Sequence, residues 1–109
     1  MYFVLGGVLM TIHERLSALD TATTERIARH VKALNLYIFD FMDYGNNIVR
    51  FYTRVNREQN EISMFMGAIL DLAEIKDYQI FFVGSDKMHV SFANKEDSEF
   101  ALSILRRNI

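Results

Sequence analysis

Two stretches of this chain carry the same local pattern, a pair of short β-favouring runs broken by turn residues and followed by an amphipathic helix. That repetition limits the folds open to it. Residues 36–42 are rich in aromatic and β-branched side chains, Asp43-Tyr44-Gly45-Asn46-Asn47 follows, and a second such run covers residues 48–55. Asn56 with Gln59 three residues on reads as a helix start, and Ile62, Phe65, Ile69 and Leu72 recur at helical spacing, predicting a buried stripe that ends near Ile75. The second round has strand runs at 78–83 and 88–93, joined by Gly84-Ser85-Asp86-Lys87. Asn94 with Asp97 then opens a last helix bearing Phe100, Ala101, Ile104 and Leu105, and Arg106 and Arg107 sit at its carbonyl end, where the helix dipole favours positive charge.

Ahead of this unit, Thr11-Ile12-His13-Glu14 has the form of a capping box, with Ile12, Leu16 and Leu19 on one face. Ile27, Val31 and Leu34 continue the spacing beyond Asp20-Thr21-Ala22-Thr23-Thr24, so residues 11–34 form one bent helix or two short ones. The expected fold is α+β: a ferredoxin-like, permuted, antiparallel four-stranded sheet with helices packed on it, plus the N-terminal helical segment. In that arrangement 36–42 takes one edge, beside 48–55, with 88–93 and then 78–83 beyond. Residues 2–9 are apolar enough for a short strand that would restore the unpermuted βαββαβ order, and Met10 is an alternative start; the two arrangements stay open here.

A length of 109 residues suits a single domain, 1–109. Half the chain is apolar, with no proline, which excludes intrinsic disorder. Zero cysteines exclude disulfides, thiolate chemistry and cysteine-ligated zinc. The longest uncharged stretch, residues 1–12, falls short of the roughly 20 apolar residues that span a bilayer and lacks the marks of a secretory signal, so no membrane partner and a cytoplasmic location are expected. A net charge of −2 supplies no global attraction to nucleic acid.

Alternation along the central strands divides Val49, Phe51, Thr53 and Val55, expected inside, from Ile48, Arg50, Tyr52 and Arg54 opposite them. Met88, Val90 and Phe92 likewise oppose Lys87, His89 and Ser91. The polar sides together place Arg50, Tyr52, Arg54, Lys87 and His89 on one surface, where cations could meet phosphates and the ring could stack on a base. The plainer reading is the ordinary solvated face of an antiparallel sheet. Whether the N-terminal helices lie across this face is open.

Residues 78–84 and 87–102 resemble the third strand and second helix of RNA recognition motif domains, in which strand aromatics stack on bases. Phe92 matches the final aromatic of that pattern. Lys87 and His89 stand at the two stacking positions, and Asp86 replaces the glycine.

Asp40 and Asp43 are close carboxylates but fall on opposite faces of a strand, and Asp43 suits a turn better than a metal site. His13, His30 and His89 are far apart and lack zinc-ligand spacing. The serines lack a Gly-x-Ser-x-Gly turn, and Gly6-Gly7 is not a phosphate loop. Arg26, Arg29 and Lys32 would suit a helix-turn-helix, but the turn lacks its usual glycine and the three fit a solvated helix face better. Tyr37, Phe39 and Phe41 line one side of their strand while Leu36, Ile38, Asp40 and Met42 line the other, so apolar surface is left over whichever side is buried. The leading expectation is therefore a non-enzymatic, cofactor-free binding or regulatory module acting through a protein–protein interface at Tyr37, Phe39 and Phe41, with homodimerisation as one form. The alternative is single-stranded nucleic-acid (RNA) binding through Arg50, Tyr52, Arg54, Lys87 and His89.

Overall fold

The computed structural model describes residues 2–5, 8–54 and 58–108. Thr11 forms the capping box: its hydroxyl accepts the Glu14 N–H at 3.1 Å, and the Glu14 carboxylate accepts the Thr11 N–H at 3.3 Å. The helical segment is two helices, α1 (Ile12–Ser17) and α2 (Thr21–Leu34), and Asp20 caps the second by accepting the Thr23 N–H at 2.7 Å. Two short strands, β1 (Tyr2–Leu5) and β2 (Val8–Thr11), pair only with each other. The unpermuted order with residues 2–9 in the main sheet is thus corrected, since a hairpin satisfies both strands locally.

The main sheet contains β3 (Ile38–Gly45), β4 (Ile48–Thr53), β5 (Gln79–Val83) and β6 (Lys87–Ser91), antiparallel in the order β3-β4-β6-β5. Helices α3 (Gln59–Leu72) and α4 (Lys95–Arg107) follow the two hairpins. The expected start of α3 at Asn56 lies outside the described residues; Gln59 begins the described helix, and Glu58 at its cap makes no side-chain capping bond.

The first hairpin runs further than its sequence suggests. Its turn is the pair Asn46-Asn47, both with positive φ of 55° and 61°, the requirement of a type I′ turn. Asp43, Tyr44 and Gly45 therefore belong to β3. Asp43 accepts the Gly45 N–H at 3.0 Å, as a residue shaping a bend does.

Ile27, Val31 and Leu34 of α2, Ile62, Met66 and Ile69 of α3, and Phe100, Ile104 and Leu105 of α4 form one core with Val49, Phe51, Met88 and Val90 of the sheet. Ile12 and Leu16 of α1 pack against its margin. The helical segment therefore lies on the side of Phe51, not across Arg50. Arg15 joins α1 to α4: it is buried, its guanidinium is 3.1 Å from the Asp97 carboxylate, and its Cζ lies 4.1 Å from the centre of the Phe100 ring. Thr53 is buried as expected, although its hydroxyl has no hydrogen-bond partner among the described residues.

Candidate functional site on the open sheet face

The second face of the sheet carries large side chains, and the described helices pack on the opposite face. Phe39 is 64% exposed, Tyr44 48%, Met42 43%, Phe81 42% and Val83 40%. Two register shifts in β3 produce this distribution, one between Ile38 and Asp40 and one between Asp43 and Gly45. Each adds a residue to β3 against β4, so simple alternation fails there. Ile38 faces the core opposite Thr53, and Asp40 already lies opposite Tyr52, with Phe39 in the bulge between them.

The grouping of Tyr37, Phe39 and Phe41 on one surface is corrected by the same bulges. Tyr37 precedes the strand, stacks on Phe65 with ring centres 6.2 Å apart, and donates its hydroxyl to Glu61 at 2.9 Å. That bond holds the Tyr37 phenol above its usual pKa, with burial and the Glu61 charge adding to it. Phe41 packs on the core beside Phe51, 5.8 Å between ring centres. Phe39 alone of the three stands on the open face, next to Tyr52 at 6.3 Å.

Arg50 holds the middle of this face. Its Nε–H donates to His89 Nε2 at 2.9 Å, across the register pair Arg50 and His89 of β4 and β6. Because arginine can only donate, Nε2 of His89 carries no proton, and the neutral imidazole holds its hydrogen on Nδ1. Burial, and then the neighbouring Arg50 charge, push the His89 pKa below its ordinary value. His89 is 5% exposed and lies under two rings, Tyr44 at 5.0 Å and Phe81 at 5.3 Å. The Arg50 guanidinium lies 4.0 Å from the centre of Tyr44 and 5.9 Å from that of Tyr52. Tyr52 in turn points its hydroxyl at the Met42 sulfur, 3.4 Å away.

Of the polar residues singled out by sequence, the structure brings Arg50, Tyr52 and His89 together. Lys87 lies opposite Tyr52 in register but pairs with Asp86 at 3.1 Å. Arg54 lies beyond the end of β4 and donates to the Leu36 carbonyl at 3.2 Å. Tyr44 and Phe81 are members of the site that sequence reading did not assign. A two-residue Asn-Asn turn was the available signal for Tyr44. For Phe81 the signal was weak, because Gln79 is the one polar residue in a run with large apolar groups on both sides, and the pairing of Ile80 with Val90 and Phe82 with Met88 sets its phase.

Other chemistry-bearing residues are dispersed. His13 is exposed on α1, and His30 Nδ1 lies 2.7 Å from the Arg26 carbonyl on α2. Asp40 accepts its neighbour's amide, Phe41 N–H, at 2.8 Å. Among the described residues no three His, Cys, Asp or Glu side chains form a cluster able to hold a metal ion, and no helix is long and apolar enough to cross a membrane. No known protein family, curated protein or solved structure matches this chain.

Proposed function

We propose that the chain is a non-enzymatic binding module that docks another protein on the open face of its sheet. The carrying observation is the exposure of Phe39, Met42, Tyr44, Phe81 and Val83 on a face that the four helices leave uncovered. Four strands about 4.8 Å apart and five residues at about 3.3 Å each give a face of roughly 300 Å2 in projection. Five large apolar or aromatic side chains gathered on a face of that size mark an interaction site more than isolated exposed groups such as Leu36 and Met64 do. Strand order supports the accompanying reading of the fold as a permuted ferredoxin-like arrangement, since both hairpins place their leading strand at an edge.

The competing nucleic-acid reading needs several cations free to follow a phosphate backbone. Lys87 and Arg54 are engaged within the chain, and His89 is buried and neutral. Met42 and Val83 offer no ring to a base. Protein is therefore the better-supported partner, a second copy of the chain being one form of it.

Light scattering during size exclusion, with and without mixed single-stranded RNA and DNA at low and moderate salt, tests the reading. Binding studies with Phe39→Glu and Phe81→Glu complete it. Self-association, or retention of a purified protein partner, that both variants abolish is the expected result. Co-elution with nucleic acid that disappears in Arg50→Met overturns it, as does partner binding that the two variants leave intact.

A further inference from the structure

Arg50 has an incomplete set of partners for a guanidinium held in place among rings. Its Nε–H is used by His89, its plane rests on Tyr44, and no described residue accepts a hydrogen bond from its two Nη groups. A guanidinium carries five N–H donors in a planar fork whose geometry matches a carboxylate bidentately. No ion pair joins Arg50 to an acid among the described residues: Asp40 accepts the Phe41 N–H at 2.8 Å, and Asp86 pairs with Lys87 at 3.1 Å. His89 cannot neutralise it, because an imidazole accepting from arginine is uncharged.

We propose that Arg50 is the anchor for an aspartate or glutamate side chain of the docked protein, taken up by the unused Nη edge. This rests on the docking function proposed above and names its chemistry. Stacking on Tyr44 and the bond to His89 fix the fork before the partner arrives, which lowers the entropy lost on binding. Surrounding apolar groups exclude water from the pair and strengthen it.

Apolar residues lie to both sides of Arg50 across the sheet, Met42 and Phe39 on β3 and Phe81 and Val83 on β5. A partner segment that covers them must continue in both directions past the acid, so the carboxylate belongs to an internal side chain flanked by apolar residues. A second copy presenting this same face sets another Arg50 against this one, like charge against like. The matching acid therefore comes from a different surface.

The test is selection of a random dodecapeptide display library on the immobilised full chain. Enriched peptides are expected to carry an internal Asp or Glu between apolar residues. Replacing that acid by its amide in the best peptide should weaken binding to the native chain at least about tenfold, the scale of one charge-assisted bidentate contact. Arg50→Met should bind the acidic and amide peptides alike, and Arg50→Lys should recover only part of the difference, because an ammonium lacks the fork. The acid-to-amide comparison on the native chain remains decisive even if a substitution at Arg50 impairs folding. Peptides that bind the open face without an acid, or are insensitive to its amide, overturn the anchor while leaving the docking function standing. Peptides that bind Phe39→Glu and Phe81→Glu as well as the native chain overturn both. Displacement of the peptides by oligothymidylate at equal concentration assigns the fork to phosphate and overturns the inference.

Discussion

Arg15 and Arg50 are stacked alike and completed differently. Each guanidinium carbon lies about one ring thickness from an aromatic centre, Phe100 at 4.1 Å for one and Tyr44 at 4.0 Å for the other. Arg15 has a carboxylate inside the chain, Asp97 at 3.1 Å, and the contact fastens α1 to α4. Arg50 has a neutral histidine, and its neighbours are exposed rings. The fold closes one site on itself and leaves the other open. The same contrast separates the two sheet faces: Phe51 is 1% exposed under the helices, while Phe81 on the other face is 42% exposed.

The sharpest way to break this comparison is to truncate one aromatic on each face. Phe51→Ala should destabilise the chain by about 3–5 kcal/mol, because it removes a packed ring and leaves a cavity. Phe81→Ala should cost less than about 1 kcal/mol, since much of that ring is already hydrated. Urea denaturation measures both. Equal losses would show that the outer face is as tightly packed as the core.

The two arginines give the next largest difference. Arg15→Met leaves the Asp97 carboxylate largely buried without its cation, at a cost of about 3 kcal/mol. Arg50→Met strands no acid, and about 1 kcal/mol or less is expected from the lost stacking and hydrogen bond. Thermal unfolding of the two variants side by side checks the ranking, and its reversal would mean that Arg50 is structural.

The smallest effect is a pH dependence confined to the open face. His89 is held below its ordinary pKa of 6.5 by burial and then by Arg50. As pH falls through about 6.5 the unfolded chain takes up a proton that the folded chain resists, so stability is lost from there down through the lower folded value. His89→Gln, which keeps an acceptor for Arg50, should flatten that loss between about pH 7.5 and 5.5 in denaturation curves. An unchanged slope would show that His89 takes up its proton alike in the folded and the unfolded chain.

Much of the architecture was legible because it depends on local chemistry. Thr11 and Glu14 announced α1, the inward set Val49, Phe51 and Thr53 followed from alternation in an unbroken strand, and the order of the four strands followed from two hairpins joined by helices. Residue 39 is where the reading failed. A bulge adds one residue and reverses every later assignment until a second bulge restores it, and no composition marks either place. The second failed reading concerns the turn, where two asparagines in left-handed conformation do what five residues were expected to do.

For the site, sequence supplied Arg50, Tyr52 and His89 as neighbours across β4 and β6, because cross-strand pairing follows once the strand order is known. It could not show that Lys87 and Arg54 are occupied. Those contacts, Lys87 with Asp86 and Arg54 with the Leu36 carbonyl, depend on where a turn and a strand end come to rest.

The sequence by itself determined the four main strands, the two helices that follow their hairpins and the placing of Arg50 on the polar side of β4, since each rests on periodicity, caps and turn residues within a few positions of one another. Only the tertiary structure decided that all four helices gather on one face, that the bulges turn Phe39 and Tyr44 outward, and that Arg50 is left with a histidine where Arg15 has an acid. Those outcomes depend on contacts between residues distant in the chain, where packing of the whole core selects which face each surplus aromatic must take.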